Sequence, residues 1–392
     1  MTAVVGPAEG RACGKVILLG EHAVVHGTPA IAAGIERGAR AQAHLLTIGA
    51  YVYSSSPPSP SAASDASGTS GRAGAALALG ERVYRAAGEG ESDVGRAFAA
   101  LLEALGDPEV GVQASSDLPP GGGLGSSAAL GVAIARAVLS MRGPVDPARV
   151  RSAAEAWERV FHGNPSGIDT TAAAVGGCFR YTRAEGAAPI RMRREIWLCV
   201  GMTGTESSTK AMVESVARLF ERRPDLKQLT LPGITALVEN AQLAIEAGDL
   251  AGLGKLMDLN QMLLGGMLVS TVEIQELCSL AREAGALGAK LTGAGGGGAV
   301  IALLDARGEA AAEEAGARVL EAWKGAGYDG FVTRIGAASP AAPTAPTAPT
   351  PKPPSAAPAA PTPKPPSVAP NAPSAPPAAP SAPPAAPGEE EA

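Results

Sequence analysis

The chain has 392 residues, 46% of them hydrophobic, with a formal net charge of −6 at pH 7, so it has room for one large or two ordinary domains and is no small disulfide scaffold. Its mild acidity and its lack of a Lys/Arg block argue against nucleic acid as the main partner. Four scattered cysteines, no signal-peptide pattern and no apolar run long enough to cross a bilayer predict a cytoplasmic protein without a membrane partner.

The first half of the chain begins with a predicted buried strand over 14–20, which is continuously apolar and bounded by glycines. Residues 54–74 are rich in Ser, Pro and Ala and predict a mobile surface loop. A helix over 126–141 is apolar nearly all round and is expected to be buried, whereas a helix over 148–161 is amphipathic. A strand over 178–181 closes this part of the chain.

The second half consists mainly of helices, which follow a strand over 196–200. The remaining predicted helices are 208–221, 234–247, 250–264, 272–284 and 310–323, and the remaining predicted strands are 290–292, 299–304 and 330–335. Two α+β lobes are the simplest account of this order, with an N-terminal domain over 1–185 and a C-terminal domain over 186–338.

The C-terminal segment 339–392 differs from both domains. Twenty of the 34 prolines lie between Pro340 and Pro387, in a stretch otherwise made mostly of Ala, Ser and Thr. Such a segment has almost no large apolar side chain to offset its ordering entropy. We therefore expect a disordered, polyproline-II-like tail, with recognition by a PxxP-binding partner as the less favoured interpretation.

A glycine-rich segment leads straight into the helix predicted from residue 126, and it reads Pro119-Pro120-Gly121-Gly122-Gly123-Leu124-Gly125-Ser126-Ser127. Glycines let the backbone approach a ligand, consecutive amides form an anion nest, and the helix N-terminus adds partial positive charge. A plain turn with a serine N-cap explains one serine and one glycine, but not four glycines in five positions followed by two serines. The segment predicts a phosphate-binding loop.

Two other glycine-bearing stretches fit no standard nucleotide motif. Lys15 follows Gly14 but precedes Val16 in place of Ser or Thr, so it is not the lysine of a Walker A loop. Residues 293–298 match G-x-G-x-x-G formally, but a predicted strand follows them where that fingerprint requires a helix. They are equally compatible with a simple hairpin turn and with a loop that presses its backbone against a ligand or another loop.

Three charged residues are of the types that a nucleotide kinase requires. Such an enzyme needs a hard oxygen ligand for Mg²⁺, a positive group near the transferred phosphoryl group, and a carboxylate that orients or accepts the proton of the attacking hydroxyl. Glu158, Lys15 and Asp169 supply these types. The alternatives are that Asp169 is only the N-cap of a helix over 170–175 and that Lys15 is a solvated strand end.

Three segments, in this order along the chain, resemble motifs of the GHMP kinase superfamily: 14–27, 119–127 and 290–298. Within it, Glu-His-Ala-Val-Val-His-Gly at 21–27 and His-Gly-Asn-Pro-Ser-Gly-Ile-Asp at 162–169 resemble the mevalonate kinase family. The similarity spans about residues 11–336, and three motifs in order are more specific than any one of them. The resemblance implies an α+β fold, the two-lobed GHMP kinase fold with ATP in the cleft between the lobes.

The same resemblance implies an activity, the ATP- and Mg²⁺-dependent phosphorylation of the 5-hydroxyl of mevalonate in isoprenoid precursor biosynthesis. It implies that Asp169 is the catalytic base and that Lys15 lowers the pKa of the hydroxyl and meets the γ-phosphate. Ser127 and Glu158 match the Mg²⁺ ligands of the family. The implied ATP-binding residues are Ser116, Pro119, Gly121, Gly122, Gly123, Leu124, Gly125, Ser126 and Ser127.

The resemblance also implies a substrate pocket, made by Lys15, Glu21, His22, Asp169, Thr209 and Ala294, the last of which would also brace the phosphate loop. A homodimer is a further expectation. Two alternatives stay open. One is a related kinase of the superfamily, such as a phosphomevalonate or homoserine kinase, with the same ATP site and a different pocket. The other is a non-catalytic ATP-binding or scaffold protein that recruits partners through its tail.

Overall fold

The computed structural model describes residues 8–46, 75–86, 92–106, 109–119, 121–163 and 166–336. The loop predicted over 54–74 and the tail predicted over 339–392 lie outside these residues. No helix in the described ranges is both long and apolar enough to span a membrane.

The first sheet has seven strands, which are β1 (Ala8–Leu19), β2 (Ala30–Leu45), β3 (Ala76–Leu79), β4 (Arg82–Arg85), β5 (Val110–Ser116), β6 (Cys178–Thr182) and β7 (Gly186–Pro189). Their order is β4-β3-β5-β2-β6-β7, with β1 paired to β2. The long strand β2 has β1 along one edge and β6 and then β5 along the other. All pairs are antiparallel except β3 with β5. The strand predicted over 14–20 is thus the second half of β1, next to the middle of the sheet.

Four helices accompany this sheet, and they are α1 (Asp93–Leu105), α2 (Ser126–Ser140), α3 (Pro147–His162) and α4 (Ile168–Val175). Helix α2 packs against β1 and β2 on one side and α3 and α4 on others. Its run of Ala, Val and Ile is buried nearly all round, as predicted from the lack of a polar face. Gly10 on β1 lets the two elements touch, because a Cβ there would lie 2.1 Å from Ala133 O. The second half of α2 is therefore packed closely against β1.

The second sheet has four antiparallel strands, which are β8 (Trp197–Met202), β9 (Gly288–Thr292), β10 (Ala299–Leu303) and β11 (Asp329–Arg334), in the order β11-β8-β10-β9. Its helices are α5 (Thr209–Arg222), α6 (Pro224–Ala247), α7 (Leu250–Gly266), α8 (Val272–Glu283) and α9 (Glu309–Gly325). Strands β9 and β10 are buried along their whole lengths. Trp323 of α9 closes this core and donates its indole N–H to Leu277 O at 2.9 Å.

The two sheets are joined at the end of the described chain. Ile35 of β2 and Ile335 form an isolated antiparallel bridge. Gly336 donates its N–H to Gly34 O at 2.8 Å and accepts one from Gly177 at 3.0 Å. Both sheets belong to one compact unit, and the α+β class expected from the sequence is confirmed. The boundary between domains at residue 185 stays a prediction.

One predicted helix has the wrong start. The prediction began it at 234, after Pro232, but α6 begins at Pro224 and runs through Pro232. Pro224 occupies the first turn, where a missing N–H costs nothing. Pro232 and Gln228, whose carbonyl it leaves unpaired, are both exposed, so solvent satisfies that oxygen. An exposed proline can therefore lie inside a helix that is held by packing on its other face.

Candidate active site

The predicted phosphate loop forms a tight glycine turn before α2. Gly121, Gly123 and Gly125 have φ values of 70°, 68° and 74°. Gly125 is the N-cap of α2, and a Cβ at this position would lie 3.2 Å from Lys15 Cβ and 3.7 Å from Asp169 Oδ1. Only glycine combines the left-handed backbone with this close approach. The loop thus brings the amino end of α2 against two charged side chains that the sequence separates by more than a hundred residues.

Lys15 lies on β1 and connects that strand with the loop. Its backbone N–H donates to Leu124 O at 2.7 Å, and its ammonium group donates to Gly123 O at 3.0 Å. The same ammonium group lies 2.8 Å from Asp169 Oδ1. Lys15 is only 6% exposed. It is therefore not a solvated strand end, and its charge is held at the base of the phosphate loop.

Asp169 is a residue of the first turn of α4 and not its cap. The helix begins at Ile168, and its N-cap is Gly167 with φ 82°. The interpretation of Asp169 as an N-cap is therefore wrong, because the backbone before it already turns into the helix. The side chain of Asp169 is 40% exposed. Its carboxylate is paired with Lys15 on one side and open on another, as a proton acceptor for a bound substrate requires.

Ser127 and Glu158 meet beside the loop. The Ser127 hydroxyl donates to Glu158 Oε1 at 2.5 Å and accepts the indole N–H of Trp157 at 3.1 Å. Glu158 is almost fully buried. Burial is the main cause that raises the pKa of its carboxyl; Asp169 adds to the rise, whereas the bond from Ser127 and the charge of Lys15 oppose it.

This pair fits Mg²⁺. A hydroxyl and a carboxylate are hard oxygen donors of the kind that Mg²⁺ prefers, and the ion keeps its other positions for phosphate oxygens and water. Within the described ranges no three His, Cys, Asp or Glu side chains gather as a metal cluster. The carboxylate of Glu158 is buried at a cost in free energy that a cation would offset. The donor set suits an ion shared with a nucleotide, not an all-protein cage.

Ser116, the last residue of β5, ties the entrance of the loop to the helix. Its hydroxyl lies 3.1 Å from the hydroxyl of Ser126 and accepts the N–H of Leu118 at 3.2 Å. Pro119, which lies between Ser116 and Ser126 in the sequence, is half-buried. Residue 120 lies outside the described chain.

The third glycine segment, 293–298, connects β9 to β10 and packs against the phosphate loop. A Cβ at Gly298 would lie 3.5 Å from Gly122 O, and one at Gly293 would lie 3.7 Å from Gly123 O. Both interpretations left open by the sequence thus hold, because the segment joins two antiparallel strands and also presses its backbone against another loop. Ala294 lies in this segment, as a bracing residue would.

His22 reaches the same segment from the turn after β1. Its Nε2 donates to Ala294 O at 2.7 Å, since a carbonyl oxygen only accepts. The backbone of His22 has φ 60°, which is uncommon for a residue with a Cβ and is often found at functional sites. Burial lowers the pKa of the imidazole, so the ring is neutral at pH 7. With its proton on Nε2, the ring has a lone pair on Nδ1 that can accept a hydrogen bond.

Two residues expected in the substrate pocket lie in different surroundings. Glu21 is enclosed: it forms a fully buried ion pair with Lys290, and its Oε2 accepts the amide of Asn260 at 3.0 Å. Burial raises the pKa of Glu21 and lowers that of Lys290, and their mutual attraction opposes both shifts. Thr209 is the exposed first residue of α5 and is not brought into contact with the charged pair at the loop.

The chain matches two families of the GHMP kinases. The N-terminal domain family matches residues 92–177 and the C-terminal family matches residues 241–325. The mevalonate kinase of Pyrococcus horikoshii is 37% identical over 302 residues, which cover 75% of this chain and 87% of that protein. The chain belongs to the mevalonate kinase family.

Other members of the mevalonate kinase family extend the similarity. The mevalonate kinase of Bos taurus is 30% identical over 372 residues, covering 83% of this chain and 92% of that protein. The crystal structure of L. major mevalonate kinase in complex with R-mevalonate superposes with a TM-score of 0.68 at 28% identity, covering 85% of this chain and 96% of that one. The two-lobed GHMP kinase fold expected from the sequence is thereby confirmed.

Sequence reasoning missed three members of the site. Trp157 directly precedes Glu158, but nothing in the sequence indicates that its indole bonds to Ser127. Lys290 lies in a correctly predicted strand, and a lysine in an otherwise apolar strand is a signal of a buried partner. Asn260 lies on α7 and carries no pattern that would single it out.

Proposed function

We propose that this protein transfers the γ-phosphoryl group of ATP to the 5-hydroxyl of mevalonate, forming 5-phosphomevalonate for isoprenoid precursor biosynthesis. The observation that carries the proposal is the Lys15–Asp169 pair, 2.8 Å apart and in contact with the glycine loop that opens α2. A base and a cation beside a phosphate cradle fit phosphoryl transfer to an alcohol. The mevalonate kinases to which the chain is similar supply the acceptor in this proposal.

In this mechanism Asp169 accepts the proton of the 5-hydroxyl as its oxygen attacks the γ-phosphorus. The bond between the γ-phosphorus and the β–γ bridging oxygen breaks, and ADP leaves. Lys15 contributes its positive charge, which favours the alkoxide character of the attacking oxygen and attracts the γ-phosphate. The backbone amides of Gly121 to Ser126 hold the β- and γ-phosphates, aided by the partial positive charge of the α2 N-terminus. Proton transfer to a positioned base is typically worth about 10²–10⁴ in rate.

Ser127 and Glu158 would hold Mg²⁺ in this site. When bound, the ion would neutralise the negative charge that develops during transfer. Ser116 and Pro119 are the remaining residues assigned to ATP binding in this proposal. They lie where the chain enters the phosphate loop, and the Ser116 hydroxyl contacts Ser126 at the start of α2. In this proposal His22 and Ala294 line the acceptor side, with the buried Glu21 next to His22. The exposed Thr209, at the start of α5, is assigned to the same side by the resemblance alone.

The proposal is tested by a coupled assay of ADP release with ATP and Mg²⁺, comparing mevalonate, phosphomevalonate and homoserine as acceptors. Release stimulated by mevalonate alone, with 5-phosphomevalonate found by mass spectrometry, is expected. Stimulation by another acceptor alone would refute the substrate and retain the kinase. No stimulation by any acceptor, with ATP still bound, would favour the scaffold alternative.

Asp169→Asn tests the base. The substitution keeps the shape of the side chain and removes its ability to accept a proton, so we expect a loss of about 10²-fold or more in kcat. ATP affinity and the unfolding midpoint should stay close to those of the unmodified protein. Activity within a few-fold of it would remove Asp169 from the role of base.

We further propose that the enzyme works in the cytoplasm. Its four cysteines are free thiols, and burial raises the pKa of Cys178, Cys199 and Cys278 to about 12, so they are unreactive. This supports a reducing compartment. A homodimer remains a prediction, which light scattering of the purified protein would test.

A further inference from the structure

The turn after β1 and strand β9 are joined by an ion pair that the proposed chemistry does not use. The carboxylate of Glu21 and the ammonium group of Lys290 are in direct contact, and neither side chain has any exposed surface. Asn260 from α7 is the third member, with its amide donated to the second carboxylate oxygen at 3.0 Å. The three residues form a closed polar cluster between the two sheets, which we call the Glu21 cluster.

Helix α7 holds β9 in place from the other side. Strand β9 is an edge strand, so alternate backbone N–H groups face away from β10. Asp258 accepts the N–H of Ala289 at 2.9 Å, and Gln261 accepts that of Leu291 at 3.0 Å. Lys290 lies between these two amides in the chain. Its backbone is therefore fixed before its side chain meets Glu21.

Three successive side-chain contacts connect residues 17–22, at the end of β1 and in the turn after it, with residues 290–294, at the end of β9 and just beyond it. The Thr292 hydroxyl accepts the N–H of Ile17 at 2.7 Å and lies 3.2 Å from Ile17 O. The Glu21 cluster forms the second contact, and the bond from His22 to Ala294 O at 2.7 Å forms the third. Glu21 and His22 are neighbours in the chain, so their two contacts close a small ring that fixes the strained backbone of His22.

Stability alone gives no account of this cluster. Removing two charges from water costs several kcal/mol each, and apolar residues of similar volume often do as well or better. Asn260 Oδ1 is itself buried without a hydrogen-bond partner, which adds to the cost. The cluster costs free energy and lies next to a histidine with a strained backbone. Its role is therefore better explained by positioning that histidine than by stabilising the fold.

We propose that Glu21, Lys290 and Asn260 are positioning residues that hold the His22 imidazole in place against the acceptor substrate. The inference rests on the proposed function, since it needs an acceptor bound beside His22. Glu21 then acts through His22 and does not touch substrate itself. The phosphate loop faces Gly293 and Gly298 and none of the three cluster residues, so we expect the cluster to affect the acceptor more than ATP.

The test is a double-mutant cycle between the cluster and His22. Its first arm is Glu21→Met/Lys290→Met, which replaces both charges together and leaves none unpaired. Its second arm is His22→Gln, whose amide keeps a donor near the position of Nε2. We expect the first arm to fold, with a Tm close to that of the unmodified protein because the lost acceptor of Asn260 offsets the removal of the buried charges, yet to lose roughly 10- to 100-fold in kcat/KM for mevalonate. The Kd of ATP, measured by calorimetry, should change less than about threefold.

The deciding quantity is the coupling between the two changes in kcat/KM, that is, how far the loss in the combined variant departs from the sum of the separate losses. If the cluster acts through His22, adding the Met pair to His22→Gln should cause little further loss, because neighbours that share one effect are not additive. Additive losses, or an equal weakening of ATP binding, would overturn the inference. Should the Met pair fail to fold, Asn260→Leu leaves the ion pair in place and is expected to give a smaller loss with the same coupling. An unmodified protein inactive with mevalonate would instead refute the proposed function, and the inference with it.

Discussion

Trp157→Phe offers a sharp test of the metal-binding side of the site, because the chain contains its own control. Trp157 is 1% exposed and donates its N–H to Ser127, and Trp323 is 0% exposed and donates its N–H to Leu277 O. In both variants, replacement of Trp by Phe removes the indole N–H and makes the ring smaller by three atoms, one of which is that nitrogen. The lost hydrogen bond is worth about 0.5–1.5 kcal/mol and the lost apolar burial about 1–2 kcal/mol. Both variants should therefore lose about 1.5–3.5 kcal/mol of unfolding free energy.

The two variants should differ in their response to Mg²⁺. The indole N–H of Trp157 occupies one lone pair of the Ser127 hydroxyl and so aims the other, whereas Trp323 contacts no residue of the site. Groups that orient a metal ligand are typically worth about 10- to 100-fold in affinity. We expect the Mg²⁺ concentration for half-maximal ADP release to rise about tenfold in Trp157→Phe and to be unchanged in Trp323→Phe. Equal Mg²⁺ titrations of the two variants, at matched urea midpoints, would refute the reasoning.

Three further outcomes are expected. Gly131→Ala should destabilise by about 1–3 kcal/mol in urea unfolding, because its Cβ would lie 2.9 Å from Trp157 Cδ1. Gly233→Ala, whose Cβ would meet only Leu263 at 3.5 Å, should instead stabilise by about 0.5–1 kcal/mol, and the same sign for both would contradict this. Burial lowers the pKa of His22 below its ordinary 6.5, so the unfolded chain binds that proton first and stability falls as the pH drops through 6.5. His22→Gln should show a smaller loss of urea midpoint between about pH 7.5 and about pH 5.5 than the unmodified protein. Deletion of 340–392 should leave kcat and KM for mevalonate unchanged; a large loss of activity would assign the tail a catalytic role.

The parts of this fold that the sequence predicts best are those where one residue type has one physical meaning. The glycines before Ser126 predict a backbone that approaches other groups closely and a helix that starts at Ser126, and both are present. Helix α2 has no polar face, so its burial follows directly. Strand β2 was not predicted, because Ala30–Leu45 is rich in Ala, Gly and charged residues that have weak strand propensity. Its conformation is imposed by the strands on both of its edges.

The site was predicted by residue type, but its geometry required the folded chain. Interpreted alone, Lys15 is more readily a solvated strand end than a catalytic group, and its burial and its contact with Asp169 exclude the solvated alternative. The partner of Lys290 lies 269 residues away, and no spacing rule reaches so far. Glu21 was assigned to the substrate pocket through a motif, which gave no sign of its buried partner Lys290.

The bridge between Ile35 and Ile335 has a consequence for the order in which the protein folds during its synthesis. The backbone groups of Gly34 that meet Gly336 leave the ribosome about 300 residues before their partners. Pairings between such distant segments form slowly, and until then the short stretch of β2 between its pairings with β6 and β5 lacks this partner. The N-terminal sheet is therefore completed only after the last strand of the C-terminal sheet has emerged. Because this contact joins the two sheets, we expect the first sheet to reach its final stability only once Gly336 has left the ribosome.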